Sequence, residues 1–183
     1  MAVQARLSIE EFMAREWPRG TQLVDGEPVM NDPSFPHQRV VACLLVALTV
    51  WTRAGEGRGE AGVGGNWTLA PSQLYIPDVW WTPPAARPGE DAIRCDTPPG
   101  LVAEVRSPGT WHVDVGRKRQ VYEERGVAEL WLVDTPPARV AILRRSRPGS
   151  PTFDLSAEMV SGDTLTTPLL DGFLLAVDDL FGS

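Results

Sequence analysis

Apolar positions recur at helical spacing in two long stretches and crowd together in several short ones. Val40, Val41, Leu44, Leu45, Leu48 and Trp51 cover one broad face, which predicts a helix from Pro36 to about Arg53 packed against something large. Pro36 suits the first helical position, Ser34 stands nearby, and Gly55 ends the run. A second helix is predicted from Val113 to Arg125, with Gly126 just beyond its C-terminus. Ser8-Ile9-Glu10-Glu11 reads as a capping box opening a short helix to about Trp17, stopped by Pro18.

The short apolar runs read as strands. Gln22-Leu23-Val24 and Pro28-Val29-Met30 flank Asp25-Gly26, a turn pair that favours a tight hairpin. Further strands are predicted over Asn66–Ala70, Leu74–Trp81, Leu101–Arg106, Ala128–Asp134 and Arg139–Arg144, with extended pieces at Thr164–Thr167 and Phe173–Val177. Gly55–Gly65 is rich in glycine but lacks a following Gly-Lys-Ser/Thr, so it reads as a flexible hairpin connection and not as a phosphate loop. Thr82–Pro99 is a long, proline-rich loop. From Pro36 to Asp134 the order is helix, strand, strand, strand, helix, strand. That order predicts an α+β or mixed α/β fold, with an N-terminal helix and hairpin before the core and strands after it. The 183 residues suit one domain over 1–183 with its core at about 36–134.

Composition narrows the classes. The net charge of −7 argues against broad nucleic-acid affinity, which usually leaves a basic footprint. It leaves room for a local basic patch or an acidic metal site. Cys43 and Cys95 make no Cys-x-x-Cys pair, so structural zinc is not indicated and a reducing compartment fits. The N-terminus lacks a basic start followed by an apolar stretch, and Val40 to Trp51 is too short to span a bilayer. A cytoplasmic protein without a membrane partner is expected.

Two carboxylates then stand out. In the run Leu74–Trp81, Asp78 shares a strand face with Ile76 and Trp80; in Leu101–Arg106, Glu104 shares one with Val102 and Arg106. An ionised carboxylate in such surroundings is costly unless a partner compensates it. On neighbouring strands the two would converge, and one would take up a proton unless a cation neutralised them. Mg²⁺ (Mn²⁺ as substitute) suits this, since it prefers oxygen ligands, uses one or two carboxylates and keeps water and phosphate elsewhere. Such an ion can activate water and stabilise charge on a phosphoryl oxygen. Asp114, Lys118 and Tyr122 form one stripe at i, i+4, i+8. The link before them is short, so Lys118 can face the carboxylates, orient water or stabilise developing charge.

Plainer readings stand beside these. Asp78 can be a polar strand residue beside a proline, and Glu104 a salt-bridge partner of Arg106 or Lys118. Lys118 with Asp114 is a common surface pair, worth about 0.3–0.5 kcal/mol. Arg139, Arg144, Arg145 and Arg147 fit a charged edge strand. His37 and His112 stand at helix starts with no serine or cysteine nucleophile arrangement, so acyl-transfer hydrolysis has no support.

One resemblance covers nearly the whole chain in order. The pieces are Leu23-Val24-Asp25-Gly26-Glu27, Pro36-His37-Gln38-Arg39-Val40, Pro77-Asp78-Val79, Val102-Ala103-Glu104-Val105-Arg106-Ser107-Pro108, Asp114 through Lys118 to Tyr122, and Gly126 through Asp134. Together they resemble the Uma-type restriction endonuclease family, a branch of the PD-(D/E)XK nuclease-like fold. The resemblance implies Asp78 and Glu104 as metal ligands and Glu27 as a further metal or water ligand. The position that holds lysine in the wider fold is Arg106, which stays protonated and cannot act as a general base. Lys118 then takes the lysine role, and Arg106, His37 and Tyr122 are left as substrate contacts. The implied activity is Mg²⁺-dependent cleavage of DNA by a homodimer, with Gly55–Gly65 and Thr82–Pro99 flanking the cleft. Two other classes stay open: a non-catalytic nucleic-acid-binding module of the same fold, and a metal-dependent hydrolase of a small phosphorylated compound.

Overall fold

Ser34 opens the long helix. Its side chain accepts the His37 N–H, and Pro36 occupies the first turn of α2 (Phe35–Arg53). Val40, Leu44 and Leu48, spaced four apart, are its buried stripe and pack on a six-stranded sheet. By length and composition α2 also passes for a membrane span, with a mean hydropathy of 1.2. Its apolar stripe is accounted for by the sheet beneath it, while Val46 and Val50 face outward. The coordinates are a computed structural model and describe residues 6–182.

The elements before and after α2 follow in chain order. The capping box is formed, with Ser8 and Glu11 bonding each other's backbone, and opens α1 (Ile9–Met13). The hairpin comprises β1 (Thr21–Val24) and β2 (Glu27–Met30). Asp25 and Gly26 take φ of +49° and +79°, as a tight two-residue hairpin turn requires. After α2 come β3 (Glu60–Gly62), β4 (Trp67–Ala70), β5 (Gln73–Tyr75), β6 (Val79–Thr82) and β7 (Leu101–Val105). Helix α3 joins Trp111–Val113, a π-helical turn at Asp114–Lys118 and Arg119–Glu124. Gly126 (φ +85°) follows it. The rest is β8 (Glu129–Asp134), β9 (Arg139–Arg144), β10 (Leu155–Met159), β11 (Thr164–Leu165), β12 (Leu175–Ala176) and α4 (Val177–Phe181).

The main sheet runs β10-β9-β8-β7-β6-β3. Only β7 and β8 pair in parallel, and α3 supplies the crossover that a parallel pair needs. One face carries Val79, Trp81, Leu101, Ala103, Val105, Trp131 and Val133 under α2 and the C-terminal segment. The other carries Trp80, Val102, Leu130 and Leu132 under α3 and a second sheet, β2-β1-β5-β4. The fold is mixed α+β, as predicted.

Two expectations change, and the tail proves to be more than extended chain. Leu74–Trp81 is not one strand: β5 belongs to the small sheet and β6 to the large one, and Ile76-Pro77-Asp78 is the link between them. Pro77 has no N–H to continue a ladder, which is why the strand breaks there. The glycine-rich stretch contains β3, paired with β6; a Cβ on Gly62 would collide with the Trp80 ring, so glycine lets the strands approach. The tail is core: Leu165, Leu170, Phe173, Leu175, Val177 and Leu180 are all buried with α2.

Candidate active site

The β5–β6 link, the end of β7 and the π turn of α3 bring their side chains to one place. The β6–β7 register pairs Val79 with Ala103, so Asp78 and Glu104 are the next opposed positions beyond the ladder. Asp78 Oδ2 accepts the Val105 N–H at 2.8 Å and meets His37 Nε2, from the start of α2, at 3.1 Å. Glu104 is 1% exposed. Its Oε1 accepts from Lys118 Nζ at 3.0 Å and from the Tyr122 hydroxyl at 2.6 Å. Lys118 Nζ also meets Asp114 Oδ1 at 2.9 Å. A π turn, closed by i→i+5 bonds, holds more residues than an α turn, so positions four apart stand nearly above one another. Asp114 and Lys118 therefore both point inward.

The electrostatics are unbalanced. Lys118 is the one ammonium facing Glu104, Asp114 and Asp78. Burial pushes the Glu104 carboxyl up to about 8 against the pull of Lys118, and the Asp114 and Asp78 charges add to the rise. Burial raises Asp114 too, again against Lys118. Burial alone would lower Lys118, yet the surrounding carboxylates raise it above its ordinary value. The lysine stays protonated, and the cluster carries a surplus of negative charge.

Does this donor set suit a metal? Asp78 Oδ1 and Glu104 Oε2 have no protein hydrogen bond among the described residues. The surplus negative charge is the field a cation relieves. No group of three or more His, Cys, Asp or Glu forms a cage among the described residues. The set thus suits Mg²⁺, which takes one or two carboxylates and keeps its waters, and not zinc, which needs three or four protein ligands.

A groove of about 500 Å³ leads to Asp78 and His37. Its walls are the exit of the β1–β2 hairpin, the start of α2, and Val63-Gly64 of the glycine-rich stretch.

The Uma2 family profile, described as "Putative restriction endonuclease", matches residues 9–178. The chain belongs to the Uma2 family. A solved structure from Anabaena variabilis ATCC 29413, described as "a putative nuclease belonging to DUF820", shares the fold with a TM-score of 0.82. It is 16% identical, and the alignment covers 96% of this chain and 98% of that one. No curated protein matches.

Within the Uma2 fold, the residues singled out in the sequence part company. Asp78, Glu104, Lys118 and His37 come together. Glu27 does not: it is exposed at the start of β2 and lines a different hollow with Arg6, Glu11 and Arg15. The tight turn that brings Asp25 against Arg117 and Gln73 sends Glu27 away from the carboxylates. Tyr122 is fully buried behind Glu104, so it supports that carboxylate and cannot touch substrate. Arg106 donates Nη1–H to Asp134 at 2.9 Å and lies near the Trp111 ring, so its charge is already paired. Lys118–Asp114 is a buried pair, not a surface one. Thr82–Pro99 does not flank the groove; with Trp67 and Trp80 it encloses a smaller hollow of about 260 Å³. The hairpin exit takes its place, and sequence reading missed Gln22 and Asn31 there.

Proposed function

We propose that this chain is a Mg²⁺-dependent endonuclease that hydrolyses phosphodiester bonds of DNA. The observation that carries the reading is Glu104: a wholly buried carboxylate, raised to about 8, with one oxygen held by Lys118 and Tyr122 and the other without a protein partner. Asp78 and Glu104 would hold the ion. Bound there, Mg²⁺ would activate a water and stabilise charge on the phosphoryl group.

The protein groups have separate tasks in this reading. The Val105 N–H and His37 fix one oxygen of Asp78, which leaves the other free to bind. Tyr122 fixes Glu104 in the same way. Lys118 is held protonated, so it cannot serve as a general base; buried against Glu104 and Asp114, it fixes Glu104 and lends positive charge behind the metal site. Membership of a family described as "Putative restriction endonuclease" supports a nucleic-acid substrate.

The test is a cleavage assay on single- and double-stranded DNA with Mg²⁺ or Mn²⁺ titrated in. Cleavage that needs the metal and is abolished in Asp78→Asn, Glu104→Gln and Lys118→Ala supports the reading. Metal binding with hydrolysis only of small phosphate esters would replace it with a small-substrate hydrolase.

A further inference from the structure

We propose that Gln22 and Asn31 form a base-reading subsite beside Asp78, and that the groove takes an unpaired nucleotide of the strand to be cut, not intact duplex. The inference rests on the nuclease reading and adds its substrate class.

Gln22 lies on β1 and is 3% exposed. Its Oε1 accepts the Ile76 N–H at 2.9 Å. A backbone N–H can only donate, so this bond settles which end of the carboxamide is oxygen. The NH₂ end lines the groove and has no acceptor among the described residues. The NH₂ is not sealed off but open to the groove, where an acceptor on a ligand can take the place of water. Asn31, just past β2, lines the same wall and is hydrogen-bonded to the Thr110 hydroxyl at 3.2 Å, which leaves the rest of its carboxamide for a ligand.

Carboxamides are the neutral side chains that pair with base edges. Proteins that read unpaired bases hydrogen-bond the Watson–Crick edge and pack the ring on aromatic or apolar groups. Here the apolar surface is Met30, Ile76 and Val63, and Met30 is 57% exposed. The charge points the same way. Arg19 is the groove's cation, opposed by Asp32 and Asp78. Duplex DNA is held chiefly through phosphate contacts to Lys and Arg, and those are scarce here. A volume of about 500 Å³ has room for one nucleotide.

The experiment uses the full chain and one oligonucleotide sequence in three forms: single strand, duplex, and duplex with a central unpaired bubble. Binding is read by fluorescence anisotropy in Ca²⁺, and cleavage is then started with Mg²⁺. Single strand and bubble should bind and be cut at least about tenfold better than duplex. Gln22→Glu keeps an oxygen for the Ile76 N–H but removes the donor. It should fold with an unchanged circular dichroism spectrum and raise KM by about fivefold or more for some single-stranded homopolymers and not others, with kcat nearly constant; an equal rise for all of them would be the added charge alone and overturns base reading. Gln22→Met, which lacks both groups and adds no charge, reports whether the chain folds without the Ile76 bond. Duplex cut as well as single strand, or Gln22→Glu with wild-type KM, overturns the subsite and leaves the nuclease reading standing. Single-strand binding without metal-dependent cleavage does the reverse. No binding to any form removes both.

Discussion

Glu104 and Glu129 sit on adjacent strands of one sheet, both wholly buried, and end in opposite conditions. Glu129 faces α2. Arg144 donates to it from Nε at 2.7 Å and from Nη2 at 3.2 Å, and Trp131 Nε1 and the Thr167 hydroxyl each donate at 2.6 Å. Both of its oxygens are saturated, and a guanidinium balances its charge. Glu104 faces α3. One oxygen has two donors, the other has none, and its lysine is shared with Asp114 and Asp78. Burial alone therefore does not mark a functional carboxylate. What distinguishes Glu104 is an oxygen left without a protein donor among the described residues and a lysine it has to share.

The contrast can be broken first through activity. Lys118→Ala, Glu104→Gln and Asp78→Asn should each lower the cleavage rate by about a thousandfold or more, since each removes charge stabilisation from the reacting centre. Glu129→Gln should leave cleavage by whatever protein remains folded within about twofold of wild type. Similar losses at both glutamates would erase the distinction.

Stability should divide them the other way. Glu129→Ala strands Arg144 and two other donors, and should cost about 3–5 kcal/mol in urea unfolding. Glu104→Gln replaces a carboxyl that, without metal, already holds its proton at neutral pH by a neutral amide, and should change stability there by less than about 1 kcal/mol.

A smaller effect lies in pH dependence. The Glu104 carboxyl is raised in the folded state, from 4.5 to about 8, so the folded chain holds a proton that the unfolded chain releases across this interval. Stability should then be full below about pH 4.5 and fall as pH rises toward 8, the opposite of an ordinary ion-paired carboxylate. The melting temperature in EDTA, compared at pH 5.5 and 8 (roughly the two sides of that interval), should drop for the wild type and drop less for Glu104→Gln. Smallest of all, Glu27→Ala should change neither cleavage nor melting, because Glu27 is exposed and away from the cluster.

Much of this was legible in the sequence where a strong local period was present. Helix α2, the Asp25-Gly26 hairpin, β7, β8 and β9 follow from apolar spacing and turn residues. The edge strands were not legible: β3 is short and glycine-bearing, and β10, Leu155–Met159, is mostly exposed with no alternation to read. The tail's core residues are separated by Thr, Pro, Asp and Gly, which hides any period although they bury well against α2. At the site, Asp78 and Glu104 were legible because charged residues in apolar runs demand compensation, and Lys118 only through its stripe with Asp114 and Tyr122 and the family resemblance. Gln22 was not. Its role depends on Ile76, a partner 54 positions away, and an isolated glutamine in a strand carries no local signal. The break at Pro77 was readable, since a proline argues against an uninterrupted central strand.

The most direct measurement is calorimetric titration of Mn²⁺ into the metal-free protein at pH 7, repeated in two buffers of different ionisation enthalpy. The account predicts one ion per chain, bound with release of a proton that Glu104 would otherwise keep, and loss of both the binding and the proton in Glu104→Gln. An ion bound without proton release and with equal affinity in Glu104→Gln, or no binding at all, would contradict it.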